Sequence, residues 1–141
     1  MPPVNDIEKM FYDAYICEYV NPENKLCCTQ EIEPQVVIGI YKVDFVINGE
    51  FVIEIDGHAW HNTKEQREQD YKRERYLLKN GYTVIRFMGT EIFLSCNLFA
   101  KETLMLVETL IMRRFDDSAF YDQYKSLKSA NKIDFIEKNS T

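Results

Sequence analysis

Residues Tyr41 to His61, YKVDFVINGEFVIEIDGHAWH, limit the possible folds of this chain more than any other stretch. Val43, Phe45 and Ile47 alternate with Asp44 and Val46, and Phe51, Ile53 and Ile55 alternate with Val52, Glu54 and Asp56. Alternation at period two marks strands, and Asn48-Gly49 between the runs marks a hairpin turn. The length of that turn decides the chemistry. A two-residue turn pairs Ile47 with Glu50 and Asp44 with Ile53, which sends Asp44 and Glu54 to opposite faces. An odd loop, such as a type I turn with Gly49 in the left-handed bulge position, gathers the Phe, Ile and Val anchors on one face. It places Asp44, Glu54 and Asp56 together on the other. A buried face sets register strongly, so the odd loop is the expectation. Three carboxylates converging in this way repel one another unless a cation lies between them. A metal site is expected there.

At 141 residues the chain has room for one core. Its 45% hydrophobic and 28% charged content is ordinary for a globular protein. No apolar run reaches the length of a membrane span, and the opening Met-Pro-Pro-Val lacks the regions of a signal peptide, so no membrane association and a cytoplasmic location are expected. Cys17, Cys27, Cys28 and Cys96 show no CxxC spacing and read as reduced, mostly buried thiols. A net charge of −6 argues against indiscriminate nucleic-acid binding. It leaves a nuclease open, because six of the 17 Lys and Arg are concentrated between Lys64 and Lys79.

Asn5 to about Tyr19 reads as a helix with Asn5 and Glu8 in a capping arrangement, ended by Asn21-Pro22. Gln35-Val-Val-Ile after Pro34 reads as a first strand, and the hairpin supplies two more. Thr63-Lys-Glu-Gln66 is a capping box for a highly charged second helix, with Tyr71, Leu77 and Leu78 as its apolar residues and Gly81 as its left-handed cap. Tyr82 to Phe87 reads as a fourth strand, expected parallel to the second hairpin strand, since it follows a helix. Leu98 to Phe115 reads as a third helix, and Phe120, Tyr124, Leu127 and Ile133 are spaced for one more. The expected organisation is an α/β fold over residues 1–115, a mixed sheet with helices against it, followed by a helical or partly disordered extension over 116–141.

Hydrolysing a phosphodiester calls for a divalent ion that activates water and offsets transition-state charge. Mg²⁺ takes hard oxygen ligands, which carboxylates on a rigid hairpin supply. Asp44 and Glu54 are the expected principal ligands, the Ile55 carbonyl a third, and Asp56 binds metal or orients water. His61 is a candidate general base or acid, since its side chain titrates near neutrality. Asp70 could hold that histidine or a second ion. Each residue also has a plainer reading. Strand acids are usually just solvated, Glu8 can be a capping residue, His58 an exposed loop residue and Trp60 a core anchor. Asp70 can be an i,i+3 partner of Arg67 or Arg73, and Lys72, Arg73 and Arg75 a wet helix face. A zinc site using His58, His61 and Cys27 or Cys28 has no supporting spacing. The shared parity of the acids favours a site.

Taken in order, Asp44, Glu54-Ile-Asp56-Gly57, His61 and Asp70-x-x-Arg73-x-x-x-Leu77-x-x-x-Gly81-Tyr82-x-Val84-x-Arg86-Phe87 resemble the very-short-patch-repair-like (DUF559-type) branch of the PD-(D/E)XK nuclease superfamily. The resemblance covers roughly residues 5–92, including Ile7-Glu8 and Gln35. It implies a restriction-endonuclease-like fold (α-β-β-β-α-β), Mg²⁺ or Mn²⁺ as cofactor, and DNA as substrate. It also implies an ordered catalytic set that falls here on Glu8, Asp44, Asp56, His61 and Asp70, with Asp44 as central metal ligand. Arg73, Gln35, Lys72 and Arg86 are candidates for holding the nucleic acid. Asp56 stands where the superfamily has a lysine, so charge must be offset from elsewhere, by metal or by Arg73. The expected function is metal-dependent DNA cleavage, nicking or double-stranded. A catalytically silent relative that binds nucleic acid or protein, and an RNA-directed nuclease, are the alternatives. A homodimer or a targeting partner would supply sequence selection, because no DNA-reading module is appended.

Overall fold

The computed structural model describes residues 6–27, 29–57 and 63–116. The elements run α1 (Asp6–Val20), β1 (Ile32–Ile38), β2 (Tyr41–Ile47), β3 (Phe51–Asp56), α2 (Lys64–Lys79), β4 (Thr83–Met88) and α3 (Gly89–Met112), closed by a short 3₁₀ turn, Arg113–Asp116. The sheet order is β1-β2-β3-β4. β1/β2 and β2/β3 are antiparallel, whereas β3/β4 is parallel, reached by the α2 crossover. This is the α-β-β-β-α-β core of a restriction-endonuclease-like fold.

The hairpin loop is odd. Ile47 pairs with Phe51, leaving Asn48, Gly49 and Glu50 between them, with Glu50 N donating to Ile47 O at 3.1 Å. The turn is not type I, however, because Asn48 (φ +53°) and Gly49 (φ +66°) are both left-handed. Asn48 tolerates that region because its side chain bonds locally. Its Oδ1 accepts from Glu31 N at 3.0 Å and its amide donates to Thr29 O, tying the turn to the chain before β1.

Both sheet faces are covered, as the expected flanking helices require. Phe45, Ile47, Phe51, Ile53 and Phe87 pack under α1 (Phe11, Tyr15) and α3 (Ile92, Leu104, Val107, Ile111). Val46, Val52 and Val84 pack with Leu77 of α2 in a second, smaller cluster. Val43 belongs to this second cluster, not with the hairpin's Phe and Ile anchors as the alternation suggested. Within α2, Leu77 is the buried side chain, and Tyr71 and Leu78 are exposed. A charged helix with so small an apolar face is positioned by its ends and its ion pairs. Thr63 Oγ1 accepts from Gln66 N at 3.2 Å, and Gln66 Oε1 accepts from Thr63 N at 3.0 Å, forming the expected box. At the other end Gly81 (φ +90°) closes a Schellman motif, with Tyr82 N on Leu77 O at 3.0 Å and Gly81 N on Leu78 O at 3.1 Å.

Three expectations are adjusted. β1 includes Pro34, which an edge strand accommodates. α3 begins at Gly89, directly after β4, and breaks at Ser95 (φ −150°, ψ 51°), so the stretch from Leu98 is only its second part. Among the described cysteines, Cys17 is exposed and Cys27 and Cys96 half-buried, so the thiols are less buried than expected. Asn5, Cys28, His58, Trp60, His61 and the expected helix around Phe120 to Ile133 lie outside the described residues. No helix among the described residues is long and apolar enough to cross a membrane.

Candidate active site

β2 and β3 pair at Ile47–Phe51, Val46–Val52 and Phe45–Ile53, and the ladder stops there. The next position along that register is Asp44 beside Glu54. Instead of a further backbone pair, the Asp44 side chain takes over, its Oδ2 accepting from Ile55 N at 2.7 Å. The strands fork at Asp44, and the odd loop is what brings Asp44 and Glu54 side by side at the fork. Glu54 is 6% exposed. Burial, then the Asp44 charge beside it, pushes its carboxyl up to about 7, against the opposing pull of Arg73. Burial raises Asp44 as well, opposed mainly by the Ile55 amide and Glu54.

α2 lies over this fork. Arg73 donates from Nη2 to Glu54 Oε1, and the same nitrogen reaches Lys42 O at 3.0 Å. The Tyr41 ring supports the guanidinium, with Cζ 5.9 Å from its centroid. One turn away the charges reverse. Arg86 of β4 is paired in register with Glu54, yet its side chain turns to Asp56, with Nη2 to Oδ1 at 3.1 Å and Nε to Oδ2 at 3.3 Å. Arg86 also reaches Asp70 of α2, Nη1 to Oδ2 at 2.9 Å, and lies 4.0 Å from Glu74. Burial works against the charge on Arg86, but its hydrogen bonds to Asp70 and Asp56 outweigh it and hold the side chain firmly protonated.

The acids are therefore grouped differently from the sequence expectation. Asp44 and Glu54 come together, but Asp56 does not join them, and among the described residues no three acid, histidine or cysteine side chains converge as a metal-binding group. At Asp56, β4 and α2 bring in Arg86 and Asp70. Glu8 is 4% exposed and accepts from Gln35 Nε2 at 2.6 Å. Gln35 falls between the Pro34–Phe45 and Val36–Val43 pairs, the ladder position facing Asp44, so the Glu8–Gln35 bond sits at the level of the fork. Lys72 is exposed on α2. Two residues were missed in the sequence. Glu74 carries the i,i+4 signal from Asp70, and Tyr41 shows no local sign of its role.

Two open clefts border the site. One of about 400 Å³ is lined by Tyr41, Gln66, Gln69, Asp70 and Arg73, among others, and one of about 300 Å³ by Asp56, Gly57, Gln66, Asp70 and Arg86. Five carboxyl groups (Asp44, Glu54, Asp56, Asp70, Glu74) meet two guanidiniums in this region.

The four-stranded mixed sheet with its flanking helices defines a protein of the restriction-endonuclease-like fold. The model of the REase_MTES_1575 family, a restriction-endonuclease-like family, matches residues 28–104, and the chain belongs to that family. A protein of Haemophilus influenzae named only as uncharacterized is 31% identical over 116 residues, covering 80% of this chain and 71% of that protein. No solved structure gives a significant match.

Proposed function

We propose that this chain is a metal-dependent DNA endonuclease of the very-short-patch-repair-like type, with Asp44 and Glu54 as the principal metal ligands. The observation that carries the reading is the pairing of a buried Glu54 with a half-buried Asp44 side by side at the fork between β2 and β3, in a chain of a restriction-endonuclease-like family. Two adjacent acids withdrawn from water destabilise one another, and a site that tolerates this is suited to a cation. When bound, a divalent ion supplies positive charge opposite the phosphodiester and lowers the pKa of water in the site.

The chain's own residues do the rest. The Ile55 amide fixes one oxygen of Asp44, leaving the other directed by a rigid strand. Asp56 and Asp70, held by Arg86, bound the neighbouring cleft and can orient water or a histidine. His61 is our candidate for the general base, and Lys72, on the exposed side of α2, for contact with the phosphate backbone. The 300 and 400 Å³ clefts share Gln66 and Asp70 and so adjoin along α2, which is where we place a strand of nucleic acid.

The test is nicking of supercoiled plasmid with Mg²⁺ or Mn²⁺ by wild type, Asp44→Ala and His61→Ala. Loss of a metal ligand removes several kcal/mol of transition-state stabilisation, so Asp44→Ala is expected to be slower by about 10²-fold or more. Removing a general base costs about 10²- to 10⁴-fold, which is expected for His61→Ala. One observation favours a silent binding relative instead, namely that Arg73 and Arg86 already neutralise Glu54 and Asp56 from within the chain. Equal activity in all three proteins, or none in any, selects that reading.

A further inference from the structure

We infer that Arg73 is the resident counter-ion of the Asp44–Glu54 pair, holding the pair when no divalent ion is bound and giving up Glu54 when one enters. The inference rests on the reading of that pair as a metal site and adds a competitor built into the fold.

Three features of the structure carry it. First, Arg73 uses one nitrogen, Nη2, for both Glu54 and the Lys42 carbonyl, so it is anchored to β2 and to the acid at once. A guanidinium and a divalent ion seek the same Glu54 oxygens, and like charges cannot both occupy them. Second, the anchorage is reversible. Only the Glu54 bond must break for the acid to turn to an ion, because the Lys42 carbonyl and the Tyr41 ring still hold the arginine. Third, there is room. Arg73 forms one wall of the 400 Å³ cleft, whose rim includes Asp70 one helical turn back, together with Gln66 and Gln69. A guanidinium released by Glu54 but still held by Lys42 and Tyr41 faces that cleft, where a phosphate of bound nucleic acid would meet its remaining donors.

A purely structural role for Arg73, as a staple between α2 and the sheet, makes the opposite forecast for metal binding. Losing a staple loosens the ligands and weakens the site. Losing a competitor strengthens it. By linkage, an interaction that excludes the metal changes its affinity by the strength of the coupling, typically 5- to 150-fold.

The experiment is calorimetric titration of the whole chain with Mn²⁺ alone, without nucleic acid, comparing wild type, Arg73→Gln, Arg73→Lys and Asp44→Asn. Arg73→Gln is expected to bind Mn²⁺ about tenfold more tightly than wild type, and Arg73→Lys to return towards wild type. Asp44→Asn is expected to abolish binding. Equal or weaker binding by Arg73→Gln, while wild type still binds through Asp44, overturns this inference alone. Absence of binding in every form overturns the metal reading and the inference with it. Should Arg73→Gln fail to fold, the Nε–Hε resonance of Arg73 in the wild type gives the answer on titration with Mg²⁺. A shift that saturates with the metal is expected, and an unmoved resonance across a titration that perturbs Glu54 overturns the inference.

Discussion

Gln35 and Glu8 are joined by a 2.6 Å hydrogen bond from the side-chain amide to a carboxylate that is 4% exposed, across 27 residues of sequence. Gln35 meets it from a left-handed backbone, φ +54°, in the middle of β1. That conformation costs a non-glycine residue about 1–2 kcal/mol, and it persists where the surroundings impose it. A hydrogen bond to a buried charged group, worth about 1.5–3 kcal/mol, offsets the strain. A double-mutant cycle of Glu8→Ala and Gln35→Ala is expected to show coupling of about 1–2 kcal/mol in urea unfolding. Additive losses would mean that the two side chains act independently.

Glu54 makes stability depend on pH in an unusual direction. Its folded carboxyl, raised from the ordinary 4.5 to about 7, keeps a proton that the unfolded chain has already released. Between those values the folded state binds more protons, so stability falls as pH rises from about 4.5 to about 7, and the contribution is fully present only below that window. Asp44, also raised, pushes the same way, whereas Arg73 opposes both. Denaturation in a chelating buffer at steps from acid to neutral pH is expected to show this decline in wild type and a flatter profile in Glu54→Gln. A wild-type profile that rises through the window would show that Arg73 dominates the pair.

Arg86 carries Asp56 and Asp70 and lies near Glu74. Arg86→Gln leaves these acids facing one another and is expected to cost about 1–3 kcal/mol in thermal or chemical unfolding. The groups are about a third exposed, so salt screens them, and the loss is expected to shrink in molar NaCl. Arg86→Lys restores charge but not the fork of donors and is expected to recover only part of the loss. Insensitivity to salt would mean that packing, not charge, explains the defect.

The hairpin turn separates two contributions of one residue. Asn48→Gly keeps the left-handed backbone but loses the bonds to Glu31 and Thr29, at an expected cost of about 1–2 kcal/mol. Asn48→Ala loses the bonds and adds strain at φ +53°, so it is expected to be worse by about 1 kcal/mol. If Asn48→Ala is the more stable of the two, the backbone at this turn is not held as described.

What could be read from the sequence was what depends on neighbours in the chain. Asn48-Gly49 and the alternation around it led to the odd loop and so to Asp44 beside Glu54, and Thr63, Gln66 and Gly81 marked both ends of α2. What could not be read depends on how α2 is rotated over the sheet. Nothing local says that Arg73 faces Glu54 while Asp70 faces Arg86, because that follows from Leu77 seating in the small cluster and from the parallel register of β4. Asp56 shares strand parity with Glu54 and was therefore grouped with it, but parity is blind to β2 parting from β3. The left-handed Gln35 and the break at Ser95 have no residue-type signal, since neither is glycine or proline.

The distribution of partners along α2 bears on which changes a chain of this kind survives. Asp70, Arg73 and Glu74 serve two different groups of charges, and Leu77, with Tyr76 packed on Tyr41, seats the helix against the sheet. A residue inserted between Glu74 and Leu77 leaves the helix intact and Leu77 in place, yet it swings the three charged side chains about 100° around the axis. The sheet would still be covered and the fork would still be acidic, with no arginine above it. Substitutions along the outer face of α2 are forgiven. Its residue count is not.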